Sequence, residues 1–164
     1  MAEENIFEIE TARKFWQDQR DRVQNSDEEE GLDFSGMIFP EDPDSQYFHG
    51  ITFKINVDFS NSTFHHSTPF NESIFDQDVI FQNCKFPNGG IFLFTQFNGD
   101  AEFENTIFEG KARFAGVVFN QNANFSGSTF NSMAAFESEE STVDGVYKKT
   151  EFQYFANFDK CTWK

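Results

Sequence analysis

The sequence predicts an all-β repeat fold behind a single N-terminal helix, and three observations carry that assignment. The first is an aromatic ruler. From residue 48 a large ring recurs at alternating steps of five and six residues: Phe48, Phe53, Phe59, Phe64, Phe70, Phe75, Phe81, Phe86, Phe92, Phe97, Phe103, Phe108, Phe114, Phe119, Phe125, Phe130 and Phe136. The beat passes Ser141 and Tyr147 and recovers at Phe152, Phe158 and Trp163, so 19 of 22 lattice positions are Phe. A fixed internal period marks a repeat architecture. The second observation is a companion column two residues before each ring, filled by small or β-branched side chains such as Val57, Ser62, Val79, Cys84, Thr95, Ala101 and Thr106, with Glu139 and Gly145 as exceptions. Residues two apart on an extended strand face the same side, so ring and small residue point inward together. The third is the extra residue of each six-residue step, often Asn, Asp or Gly as at Asn56, Asp78, Gly89, Asp100 and Asn122. These residue types tolerate positive φ and tight turns, which places them at corners. A helix is a poor alternative, because rings five and six apart form no stripe on it.

The elements follow in order. Residues 1–31 read as an amphipathic helix and acidic linker: Ile6, Ile9, Ala12, Trp16 and Val23 recur at helical spacing over 4–24, and Asp27-Glu28-Glu29-Glu30 is a solvated run. A repeat fold needs its end covered, so this helix is expected to be a cap. Residues 32–164 form the repeat domain. Phe34 and Phe39, with Leu32 and Met37 two residues ahead of them, make an early pair of faces three residues out of phase with the later lattice. A loop with an insertion is therefore expected over 40–47. Residues 137–149 are the irregular coil, because Glu139 and Ser141 stand where a small residue and a ring belong. It is either a tolerated defect or a protruding loop.

The segments Val57-Asp58-Phe59-Ser60-Asn61, Ala101-Glu102-Phe103-Glu104-Asn105 and Ala123-Asn124-Phe125-Ser126-Gly127 resemble the pentapeptide-repeat family in its Phe-centred form with an eleven-residue beat. The resemblance implies a right-handed quadrilateral β-helix, one face per pentapeptide and about 22 residues per coil. Coils then begin at Phe48, Phe70, Phe92, Phe114 and Phe136, with a fragment from Phe158, and these six rings form one stacked ladder. No terminal helix covers the last coil in the sequence, which leaves a homodimer through the C-terminal end, a covering by a partner, or a segment of a longer protein; family members with a topoisomerase role often dimerise there, so the resemblance favours the C-terminal homodimer.

Composition and motifs exclude much. Acids outnumber bases 28 to 12, for a formal net charge of -16, so direct nucleic-acid binding, which needs clustered Lys and Arg, is disfavoured. No apolar run approaches the length of a membrane helix, and the N-terminus lacks the pattern of a secretion signal. Cys84 and Cys161 fall in the inward column, on different faces by the lattice count, and are expected as free buried thiols of a reducing, cytoplasmic compartment. His65-His66 lacks partners at metal spacing, and no nucleophile elbow, phosphate loop or buried acid–base pair is present. An enzyme, a metal and a cofactor are all unexpected.

What remains is charge on a rod. Residues 32–164 carry 18 acids and 8 bases, so acidity belongs to the repeat domain as well as to the helix. Pentapeptide-repeat proteins include ones that occupy the DNA-binding saddle of DNA gyrase. The resemblance thus implies a DNA mimic whose partner is a DNA-binding protein, a topoisomerase or a nuclease. Asp58, Asp76, Asp78, Asp100, Glu102 and Glu104 would stand in for phosphates, and the loops bearing Asp42, Asp44, Glu137, Glu139, Glu140 and Asp144 would give selectivity. The alternative is a protein-interaction scaffold, or the repeat segment of a larger protein, using outward apolar residues: Ile91, Leu93 and Phe94, with Tyr154, Phe155 and Trp163.

Overall fold

The computed structural model describes the chain except residues 1, 26–30, 42–47, 66–69, 138 and 141–146, and describes the backbone alone at 2–9, 12, 25, 139–140 and 147–148. Helix α1 runs Ala2–Asn25. Its inner side presents Trp16, fully buried, beside Gln19 and Val23. The Trp16 ring lies 5.0 Å from Phe39 and edge-on to Phe48 at 5.2 Å, and its indole N–H donates to the Pro40 carbonyl at 3.1 Å. Phe15 meets the edge of Phe39, and the Arg22 guanidinium lies 4.9 Å over the Phe34 ring. The helix therefore closes the first coil's ring layer, as a cap must. The expected contacts of Ile6, Ile9 and Ala12, and the linker Asp27 to Glu30, lie outside the described residues.

Beyond the helix the chain winds as a parallel β-solenoid of about 22 residues per coil, visiting four faces in turn through strands of two residues. The first face stacks Leu32–Asp33, Val57–Asp58, Val79–Ile80, Ala101–Glu102, Ala123–Asn124 and Ala156–Asn157. The second stacks Ile38–Phe39, Thr63–Phe64, Lys85–Phe86, Ile107–Phe108, Thr129–Phe130 and Thr162–Trp163; the third, Gly90–Ile91, Ala112–Arg113 and Ala134–Ala135; the fourth, Thr52–Phe53, Ile74–Phe75, Gln96–Phe97, Val118–Phe119 and Glu151–Phe152. In the visiting order, the third face stands opposite the first.

Inside, each face contributes one ladder of rings. Phe34, Phe59, Phe81, Phe103, Phe125 and Phe158 make the first; Phe39, Phe64, Phe86, Phe108, Phe130 and Trp163 the second; Phe48, Phe70, Phe92, Phe114 and Phe136 the third; Phe53, Phe75, Phe97, Phe119 and Phe152 the fourth. Successive rings in a ladder lie 4.4 to 5.6 Å apart with planes within 11° of parallel. Rings of the opposite first and third ladders meet largely edge-on, as Phe92 and Phe103 do at 90°, and so do those of the fourth and first, as Phe97 and Phe103 at 85°. Each buried ring thus combines the two favourable aromatic geometries.

The companion column sorts by face. On the first and third faces it is aliphatic, as at Val57, Val79, Ala101, Ala112 and Ala123, all buried. On the second and fourth it is mostly a hydroxyl or thiol that donates to the carbonyl of a Phe one coil earlier: Ser62 to Phe34 at 2.8 Å, Cys84 to Phe59 at 3.0 Å, Thr95 to Phe70 at 2.8 Å, Thr106 to Phe81 at 2.6 Å and Ser128 to Phe103 at 2.5 Å. Ser73 and Thr150 make the same bond to Phe48 and Phe114. Among the described residues no buried side-chain nitrogen or oxygen lacks a partner, so these hydroxyls are buried without the penalty of an orphaned polar group.

Three expectations are corrected. Positive φ belongs mainly to the five-residue corners, at the second residue past the ring: Gly36, Asn61, Asn83, Asn105, Gly127 and Lys160 lead from the first face, and Gly50, Glu72, Phe94 and Gly116 from the third. There the N–H of the third residue past the ring bonds back to the ring residue's carbonyl, as Ser62 does to Phe59 at 3.1 Å, the pattern of a type II turn. The extra residues of the six-residue steps sit at corners as expected, but of those described only Gly89 has positive φ.

The second correction concerns the irregular coil. Val118 pairs with Glu151, Ala123 with Ala156 and Thr129 with Thr162, an offset of 33 residues, where the pairings between Thr52 and Ala135 show 22 and the first coil, with its three-residue insertion, shows 25. Eleven residues have therefore been looped out of the third-to-fourth corner, including the antiparallel pair Glu139–Glu140 with Tyr147–Lys148. Tyr147 is not a lattice position, because an insertion of half a coil preserves the beat while leaving the stack; Ser141 lies outside the described residues. For the same reason Phe158 stacks on Phe125 and meets Phe136 edge-on at 88°, instead of extending the Phe136 ladder. The third correction follows: Cys84 and Cys161 lie on the same face, in the second-face sheet, separated by the Thr106 and Ser128 coils. They are free thiols.

Candidate functional site

The outward strand positions of the first face are, in stacking order, Asp33, Asp58, Ile80, Glu102, Asn124 and Asn157. None is a base. One residue past the rings of the same face stand Ser35, Ser60, Gln82, Glu104, Ser126 and Asp159. The corner leading onto this face from the fourth adds Asp76, Asp78 and Asp100. The fold thus gathers six carboxylates expected from the sequence, those of Asp58, Asp76, Asp78, Asp100, Glu102 and Glu104, on one face and its leading corner. Asp33 and Asp159 join them and were missed, although Leu32-Asp33-Phe34 repeats the pattern of Val57-Asp58-Phe59 and could have been found by it. Bases adjoin this set at three places: Lys54 holds the Asp76 position of the leading corner one coil earlier, Lys160 stands at the far corner of the last coil, and Arg22 of the helix acts on Asp33.

These carboxylates are held in place. At the leading corner a side-chain oxygen of each coil accepts the backbone N–H of the next: Asn56 from Asp78 at 3.2 Å, Asp78 from Asp100 at 2.8 Å and Asp100 from Asn122 at 3.0 Å. Asp76 accepts from the Asn98 amide at 2.9 Å, Glu102 from Asn124 at 2.8 Å and Glu104 from Gln82 at 3.3 Å. Asp58 and Asp33 accept the N–H two residues on, at Ser60 (2.7 Å) and Ser35 (2.8 Å). The Ser35 hydroxyl, then its backbone N–H, hold the Asp33 carboxyl below the usual carboxylate range. Asp78 and Asp100 therefore have a structural task, capping the stack, beside any task at the surface.

The remaining residues singled out from the sequence are dispersed. Asp42, Asp44 and Asp144 lie outside the described residues. Glu137 is exposed at the third-to-fourth corner; Glu139 and Glu140 follow on the inserted strand, where only backbone is described. Ile91 and Leu93 are half-buried on the third face, and Phe94 is half-buried at its corner with φ of 57°. Their expected exposure is reduced because neighbouring coils stack against them. Tyr154 and Phe155 are about two-thirds exposed and Trp163 about half, all on the last coil. Phe155 occupies the corner position that Asn56, Asp78, Asp100 and Asn122 hold in earlier coils.

Among the described residues no three His, Cys, Asp or Glu side chains are grouped to hold a metal ion. His65 is half-buried, and His49 approaches Glu72 at 3.9 Å. Burial pushes the Cys84 thiol up to about 12, and that of Cys161 upward as well, the reverse of what a nucleophilic thiol requires. Among the described residues no helix is long and apolar enough to cross a membrane.

Four stacked faces around a Phe core make a β-solenoid, a fold that suggests a protein-interaction rod and is typically non-catalytic. A family model described as pentapeptide repeats (9 copies) matches residues 59–107 and 92–138, so this stretch of the chain consists of pentapeptide repeats, the family the sequence resembles. No match was found among curated proteins or among solved structures.

Proposed function

We propose that this protein is a non-catalytic, cytoplasmic protein-binding rod whose acidic first face takes the place of DNA on the binding surface of a DNA-handling protein, a topoisomerase or a nuclease. The observation that carries the reading is the one-sided gathering of braced carboxylates with no base among the outward strand positions. Charge density agrees with it. Residues 32–164 have 18 acids and 8 bases, a net of -10, and the first ladder from Phe34 to Phe158 makes five coil steps of ~4.8 Å. That is one net charge per ~2.4 Å of axis, against about 1.7 Å for duplex DNA. A protein evolved to grip phosphates would be drawn by the same long-range field.

The test is supercoiling by purified DNA gyrase, with this protein titrated in at two salt concentrations. Inhibition that weakens as salt rises, and that is lost in Glu102→Lys/Glu104→Lys, is expected. Absence of any effect at high protein excess removes gyrase as the target. A nuclease assay under the same two salts then decides the remaining arm.

A second reading rests on the aromatics of the last coil. Tyr154, Phe155 and Trp163 are exposed and Phe152 and Phe158 half-buried, a patch that suits an apolar contact, with a second copy or another scaffold partner. Sedimentation equilibrium separates the two: a homodimer insensitive to salt and broken by Trp163→Asp supports this contact, and a monomer at all concentrations removes the homodimer.

A further inference from the structure

We draw no further inference here: the strongest candidate, the apolar corner between the third and fourth faces where half-buried Leu93 stands beside Phe94 at a φ of 57°, carries nothing, because nothing in the structure shows what covers it.

Discussion

Truncating the ring at the centre of the stack, Phe103→Ala, should be among the most damaging single changes in the domain. Phe103 is fully buried. It stacks on Phe81 at 4.9 Å and on Phe125 at 4.7 Å. It also meets Phe92, Phe97 and Phe114 edge-on at 5.6, 5.9 and 5.6 Å. Removing a buried Phe costs ~3–5 kcal/mol in transfer and cavity terms. Phe108 lies tilted beside it at 6.5 Å. Aromatic geometry contributes ~0.5–1.5 kcal/mol per pair beyond area burial, so six ring neighbours place Phe103 at the upper end, about 5 kcal/mol. Phe158 is half-buried on the last coil, stacked on one side only, on Phe125, with Phe136, Phe152 and Trp163 beside it; with less of it removed from water and fewer ring neighbours, it should lose roughly half as much. Urea unfolding followed by circular dichroism gives the midpoint and slope. Because stacked repeats can fray from one end, the two tryptophans serve as local probes: Trp16 is fully buried at the cap and Trp163 is largely exposed at the other end. Equal destabilisation by Phe103→Ala and Phe158→Ala would refute the reasoning, since stability would then not follow the number of ring contacts.

Four further outcomes are expected. Phe94 holds φ of 57°, a conformation that costs a bulky residue ~1–2 kcal/mol, so Phe94→Gly should raise the unfolding midpoint and Gly116→Val at the equivalent corner should lower it. Thr106→Val removes the hydroxyl that donates to the Phe81 carbonyl and should cost ~1–2 kcal/mol, read by the same denaturation. Deleting residues 138–148 leaves Glu137-Lys149-Thr150-Glu151 between Phe136 and Phe152, restoring a five-residue corner; the variant should fold with stability changed by about 1 kcal/mol or less, since a longer loop adds little closure entropy, and an unfolded product would show that the insertion supports the stack. Cys84 in the native protein should resist alkylation at pH 8 and react on unfolding. Its pKa is raised in the fold to about 12 from an ordinary 9.0. The unfolded chain therefore loses that proton first, and the stability tied to this group should decline as pH rises from about 9 to about 12, measured by midpoints across that range.

Before any coordinates, the residues specified the repeat. Phe at five and six residues with a small residue two before it leaves few ways to bury 19 lattice Phe rings, because alternation in a strand sends both positions inward. The cap was legible from Trp16 and Val23 at helical spacing, and the displaced first coil from the three-residue slip after Phe39. Two questions needed the tertiary structure. Whether residues 137–149 belong to the stack could not be decided from phase, since a loop of half a coil keeps the rhythm; the pairing of Val118 with Glu151 decided it, and with it the face on which Cys161 lies. Which acids share a surface also depends on register. Asp33, Asp58 and Glu102 are separated by 25 and 44 residues yet stand in one column, and Ile80 interrupts them. Local side-chain alternation is written in neighbouring residues, whereas proximity across coils is set by how many residues each turn consumes, which only the wound chain reveals.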